Sequence, residues 1–231
     1  MNPTPPPRRG ISDPHADQPI LTDGPPPREA AGAVLLIHGR GASAEDILSL
    51  YGQLGIENWA AIAPQAAGHT WYPNSFLAPL DSNQPYLDSA LKKIESIVAD
   101  LLAQGVRSER IALLGFSQGA CLTAEFIARH PRRYGAAIAL TGGLIGPPGT
   151  ARNYPGSLAG VPVLLAASDP DPHVPFQRVQ ETQAVLSRMG AGVDLRRYPG
   201  MGHTINEDEL IAARNLLQGM LTTRPEREEQ R

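Results

Sequence analysis

Only one cysteine, Cys121, occurs in the 231 residues, so no disulfide can form within the chain and the fold must rest on its apolar core. A chain without disulfides suits a reducing compartment, and the cytoplasm is the expected location. Long apolar runs are missing too. The longest, 33–37 and 161–167, fall far short of the roughly 20 residues that cross a bilayer, which excludes a membrane span. The N-terminal region holds no apolar stretch of the roughly 7 to 15 residues that a secretory signal uses, so no export signal is expected. Neither charge dominates: 20 Lys and Arg stand against 23 Asp and Glu, a net charge of -3, and no basic field exists to draw nucleic acid or an anionic membrane surface.

What is present is ordinary globular material, 42% hydrophobic and 19% charged. One domain is the default at this length, enough to bury roughly 70% of the unfolded surface. Residues 1–14, rich in proline, lack apolar periodicity and read as a flexible tail, and 222–231 alternate Arg and Glu and read as a charged one. A single domain is expected between them, over 15–221. Within it, short apolar runs at 33–38, 59–63, 111–115, 136–141, 161–167 and 193–198 predict strands, and amphipathic stretches at 43–53, 84–104, 118–130, 175–189 and 206–221 predict helices. The apolar runs are continuous rather than alternating, as in strands buried on both faces. Residues 18–22 add a candidate edge strand, followed by an extended connector at Pro25-Pro26-Pro27. This β-α alternation predicts an open, mostly parallel sheet with helices on both faces and a ligand site at the carboxyl ends of the strands. No insertion is long enough to form a separate cap domain.

The sharpest motif is Gly115-Phe116-Ser117-Gln118-Gly119, a G-x-S-x-G pattern that leaves a predicted strand and opens a predicted helix. Such a turn presents a serine hydroxyl to solvent, and the flanking glycines remove side chains that would clash. A chance Gly-Ser-Gly turn is the alternative. A neutral serine is a poor nucleophile and needs an adjacent base, itself oriented by an anion. His203, in Pro199-Gly200-Met201-Gly202-His203 between the last strand and last helix, stands where that base belongs. His15 reads as part of the tail, His69 follows an early strand, His130 ends a helix and His173 sits beside the acid. For the acid, Asp169 and Asp171 compete in one loop, and spacing favours Asp171. His38-Gly39-Arg40-Gly41 offers an oxyanion hole made of two backbone N–H groups, those of Arg40 and Gln118, with His38 bracing the loop. Trp71, Tyr72 and Phe76, in the loop 64–83, line an apolar substrate cleft or else pack in the core. Cys121, one turn beyond Ser117, reads as a buried small residue with no chemical role.

Taken in order, the stretch 38–46, Ala63-Pro64-Gln65, the serine motif, Asp171-Pro172-His173-Val174-Pro175 and Gly202-His203 resemble the phospholipase/carboxylesterase family of α/β-hydrolases, over about residues 18–221. The resemblance implies the α/β-hydrolase fold and a Ser117–His203–Asp171 triad, and puts the acid of the D-x-x-V-P motif on Asp171. It also implies hydrolysis of a small-molecule ester without metal or cofactor, and leaves a homodimer open. Two departures stand out: Ala167-Ser168 replaces the family's usual His-Gly pair, and Trp71-Tyr72 occupy the loop after the second main strand, so the acyl pocket differs from that of a long-chain thioesterase. A thioesterase or lysophospholipase acting on longer chains is the second reading. A non-catalytic binding protein on the same fold is the third.

Overall fold

The computed structural model describes residues 13–222, so the tails expected at 1–14 and 222–231 lie outside the described residues except for Asp13, Pro14 and Thr222. Runs of Ala, Val, Leu and Ile make the central strands. The elements are β1 (Ile20–Asp23), β2 (Ala33–Ile37), α1 (Ala44–Leu48), β3 (Ala60–Pro64), α2 (Tyr86–Ala103), β4 (Ile111–Phe116), α3 (Gln118–Arg129), β5 (Ala136–Leu140), β6 (Pro162–Asp169), α4 (Phe176–Arg188), β7 (Gly192–Pro199) and α5 (Glu207–Thr222). The sheet order is β1-β3-β2-β4-β5-β6-β7, parallel throughout except that β1 runs antiparallel to β3 at the edge. This is the predicted open sheet.

Alternation along the strands sorts the core into two layers. Leu35, Ile37 and Leu113 face the side packed by α2, α3 and α4, whereas Val34, Leu36 and Leu114 face α1 and α5. Both faces are covered, which is why the strands read as continuous apolar runs. The order reverses between β2 and β4, so the loops leaving those two strands part and open a crevice at their carboxyl ends. No helix among the described residues is long and apolar enough to cross a membrane.

Two local expectations need correction. The helix expected over 43–53 starts on a reciprocal Ser43–Asp46 cap but stops at Leu48, and a short 3-10 turn at Tyr51–Gln53 follows. The Ser49 hydroxyl turns back onto Asp46 O at 2.6 Å, a local bond that competes with continued helix. The Pro25-Pro26-Pro27 segment is a turn rather than an extended connector, because the N–H groups of Glu29 and Ala30 both donate to Pro26 O.

The start of the described chain is fastened, and His15 does not belong to a tail. Asp13 accepts from Ser89 Oγ at 2.6 Å and from Lys92 Nζ at 2.7 Å, and Lys93 Nζ donates to the carbonyls of Ala16 and Gln18. His15 is fully buried; its Nδ1 accepts the Ala67 N–H and its Nε2 donates to Trp71 O, both at 3.0 Å. His38, equally buried, donates from Nδ1 to Gly39 O at 2.7 Å and accepts the Ala66 N–H on Nε2 at 3.1 Å. Each ring therefore needs one bare nitrogen and must be neutral. The two imidazoles flank Trp71, with ring centroids 5.3 and 5.0 Å away.

Burial holds both imidazoles below the ordinary histidine range. The unfolded chain therefore binds protons that the folded one refuses as pH drops below about 6.5, and stability present above that value is lost on acidification. Glu209, whose carboxyl burial pushes up to about 7, titrates with the opposite sign. A His15→Gln variant shares Glu209 and His38, so both cancel in a difference. Urea unfolding at pH 7.5 and 5.0 should show the wild type losing more stability than His15→Gln over that interval. Equal losses would mean that His15 is not held neutral.

Candidate active site

Where β4 runs into α3, Ser117 takes φ 53° and ψ -116°, a left-handed conformation that few residues other than glycine adopt. The turn is too tight for side chains at its shoulders. A Cβ on Gly115 would run into the Gly119 backbone, and one on Gly119 would meet the carbonyl of Ile37 on the neighbouring strand. With Ser117 N–H donating to Leu140 O at 3.0 Å, the hydroxyl is directed out of the sheet. Ser117 Oγ lies 2.8 Å from His203 Nε2, and His203 Nδ1 lies 2.8 Å from Asp171 Oδ2. The structure thus brings together the three side chains singled out from the sequence.

The Asp171 side chain is enclosed, its other oxygen taking the N–H groups of His173 at 2.7 Å and Val174 at 2.8 Å. Burial on its own would push this carboxyl up, but the two amides and the His203 ring outweigh it and hold it below the usual carboxylate range. Asp169, the rival, is turned away and pairs with Arg197 at 2.6 Å. The loop that carries His203 depends on glycine at both Gly200 (φ 71°) and Gly202 (φ 81°). It ends in a reciprocal cap, Asn206 N–H to Glu209 Oε2 and Glu209 N–H to Asn206 Oδ1, each at 2.8 Å. The His203 ring is packed by Phe116 on one side and meets the edge of His173, at 5.2 and 4.8 Å between centroids.

Beside Ser117 lies a cleft of about 350 Å³, walled by Arg40, Tyr72, Phe76, Gln118, Cys121 and Val174 among others. Gln118 opens α3, so its backbone N–H has no carbonyl one turn earlier in the helix, and the Arg40 N–H makes no bond with another described residue. Of the aromatic residues expected in the cleft, Tyr72 and Phe76 line it and Trp71 does not. Trp71 is fully buried behind the wall, donating from Nε1 to His38 O at 2.9 Å, because the two histidines offer its ring a better-bonded place than the cleft. The Tyr72 hydroxyl is buried against the Cys121 thiol without a nitrogen or oxygen partner among the described residues. Burial pushes the Cys121 thiol up to about 11, so it stays protonated and inert as a nucleophile. No group of three His, Cys, Asp or Glu side chains able to hold a metal occurs among the described residues.

Sequence reasoning missed the side chains of the two oxyanion candidates and the anchoring by His15. Gln118 Oε1 accepts the Trp71 N–H at 2.8 Å and its Nε2 donates to Tyr72 O at 2.9 Å. Its place directly after the nucleophile was visible, but nothing in the spacing points to residues 46 and 47 positions earlier.

Residues 24–221 match the model of a family described as Phospholipase/Carboxylesterase. A probable carboxylesterase of Oryza sativa subsp. japonica is 29% identical over 228 residues, 88% of this chain and 85% of the relative. An acyl-protein thioesterase 1 of Debaryomyces hansenii is 22% identical over 218 residues, 84% of this chain and 93% of the relative. Among solved structures, a phospholipase/carboxylesterase from Dyadobacter fermentans superposes with a TM-score of 0.85 at 46% identity, covering 87% of this chain and 97% of that one.

The geometry separates the two aspartates in one experiment. Asp171→Asn should slow fluorophosphonate labelling of Ser117 by about 10³-fold or more, since the amide favours the wrong imidazole tautomer. Asp169→Asn should stay within a fewfold of wild type; a reversed order would assign the orienting anion to Asp169.

Proposed function

The chain belongs to the phospholipase/carboxylesterase family of α/β-hydrolases, and from that premise we propose that it hydrolyses esters of small and medium carboxylic acids through an acyl-enzyme on Ser117. The observation that carries this reading is the unbroken relay of two 2.8 Å bonds from Ser117 through His203 to Asp171. As Ser117 Oγ attacks the acyl carbon, its proton passes to His203 Nε2, and the imidazolium that forms is held by the Asp171 carboxylate through Nδ1–H. Negative charge on the carbonyl oxygen is met by the N–H groups of Arg40 and Gln118, each worth roughly 3 kcal/mol or somewhat more in the transition state. The C–O bond then breaks, His203 protonates the departing alkoxide, and a water activated by the same histidine releases the acid from Ser117. Every step uses groups of this chain.

Cleft size favours short and medium acyl groups over the long chains of a thioesterase or lysophospholipase. Tyr72 and Phe76 line the cleft of about 350 Å³ beside Ser117, so each further methylene contributes up to about 0.8 kcal/mol only until that space is full. A purely binding role on this fold leaves the assembled relay without a purpose.

Ser117→Ala should lower kcat by about 10⁴-fold or more with the fold retained, because the triad acts as a unit. Near-wild-type turnover would end the assignment. On p-nitrophenyl esters of graded length, kcat/KM should peak at butyryl to hexanoyl and fall beyond octanoyl, and Phe76→Ala should move the peak to longer chains. Trp71→Ala should instead lower stability by about 3–5 kcal/mol, as expected for a large buried aromatic side chain. A palmitoyl optimum unmoved by Phe76→Ala would favour the long-chain reading.

A further inference from the structure

The wall of the cleft formed by residues 70–74 has almost no backbone bonding of its own. The Trp71 N–H goes to Gln118 Oε1 and the Asn74 N–H to Asn83 Oδ1, and Pro73 has no N–H to give. Four of its oxygens turn toward one side chain, while the Trp71 carbonyl takes the His15 ring instead. Arg40 Nη1 donates to Pro73 O at 2.9 Å and Thr70 Oγ1 at 3.3 Å, and Nη2 donates to Tyr72 O at 2.9 Å and Asn74 O at 2.7 Å. Three consecutive carbonyls thus converge on one guanidinium, which has no carboxylate partner among the described residues. Tyr72 O also accepts from Gln118 Nε2 at 2.9 Å, so a single wall carbonyl is bridged between the two residues proposed above as the oxyanion donors. A guanidinium suits this arrangement because its planar fork presents paired donors in fixed directions, which a lysine ammonium cannot reproduce.

We propose that Arg40 is a positioning residue whose guanidinium ties the 70–74 wall to the oxyanion amides, so that one side chain sets both acyl fit and turnover. The inference rests on the reading of Ser117 as nucleophile. Its physical content is that the wall carrying Tyr72 and leading to Phe76 keeps its place only while the fork occupies its four acceptors, and that a shift of about 1 Å there displaces the ester carbonyl from the amides. A misplacement of that size costs on the order of 10²-fold in rate.

The test pairs Arg40→Ala and Arg40→Lys with chemical rescue, measured on acetyl, butyryl and hexanoyl p-nitrophenyl esters, with near-UV circular dichroism recorded for each protein. Arg40→Ala should lose about 10- to 100-fold in kcat/KM, with KM for the hexanoyl ester raised and kcat lowered on all three. Ethylguanidinium at millimolar concentration should restore several-fold of the loss, and ethylammonium should not. General loss of fold would not respond in this way, since guanidinium compounds weaken folded proteins. Arg40→Lys, which keeps charge and stem, should remain nearer to the alanine variant than to wild type; if Arg40→Ala fails to fold, this variant carries the test. Wild-type kcat/KM in Arg40→Lys, or an Arg40→Ala defect that ethylguanidinium leaves untouched while the circular dichroism is native, would overturn the proposal. Fluorophosphonate labelling of the wild type separates the two levels: no adduct on Ser117 removes the nucleophile reading itself, whereas normal labelling beside an unaffected Arg40 variant removes only the positioning role.

Discussion

The backbone of Ser117, forced to positive φ between two strands and a helix that approach too closely for any Cβ at Gly115 or Gly119, is the constraint from which the site follows. A non-glycine residue held there costs of order 1–3 kcal/mol. The surroundings offset it: β4 is buried along nearly its whole length, α3 is enclosed on all sides, and Ser117 N–H is bonded to β5. With Oγ fixed by the main chain rather than by a rotamer, the histidine and the aspartate need only be delivered to it by loops.

Those loops show two ways of holding a side chain still. Asp171 is held by backbone amides of its own turn, so its placement is local and survives on a five-residue motif. The 70–74 wall is held by groups from elsewhere: the side chains of Arg40, Gln118 and Asn83 at the front, and the His15 ring and the His38 carbonyl at the back through Trp71. The first arrangement is rigid by geometry. The second is rigid only while several distant partners are all in place.

That difference also decides what could be read in the sequence. The buried strands were legible because continuous Ala, Val, Leu and Ile runs leave few other structures open, and Ser117 and His203 were legible because glycines mark backbone that side chains would block. Spacing and resemblance only favoured one of two neighbouring acids, and the geometry that places Asp171 rather than Asp169 on the imidazole is a matter of two amides in the following turn. Trp71 was not legible: an aromatic residue in a loop carries no period, and its partners His15 and His38 lie 56 and 33 positions away. The Arg40 guanidinium was hidden for the same reason, since a glycine-flanked arginine advertises its backbone and not the destination of its side chain.

The strap at Asp13 to Gln18 has a consequence for the order in which this chain becomes native. Its bonds reach 52 to 79 residues ahead, to Ala67, Trp71, Ser89, Lys92 and Lys93. The strap is synthesised before the α2 residues it bonds, and the Ser117–His203 pair, 86 residues apart, is complete later still. Contacts of such span slow folding because loop closure must precede any reward from them. In synthesis order the residues that back the cleft are therefore all present before the relay that Ser117 needs is complete.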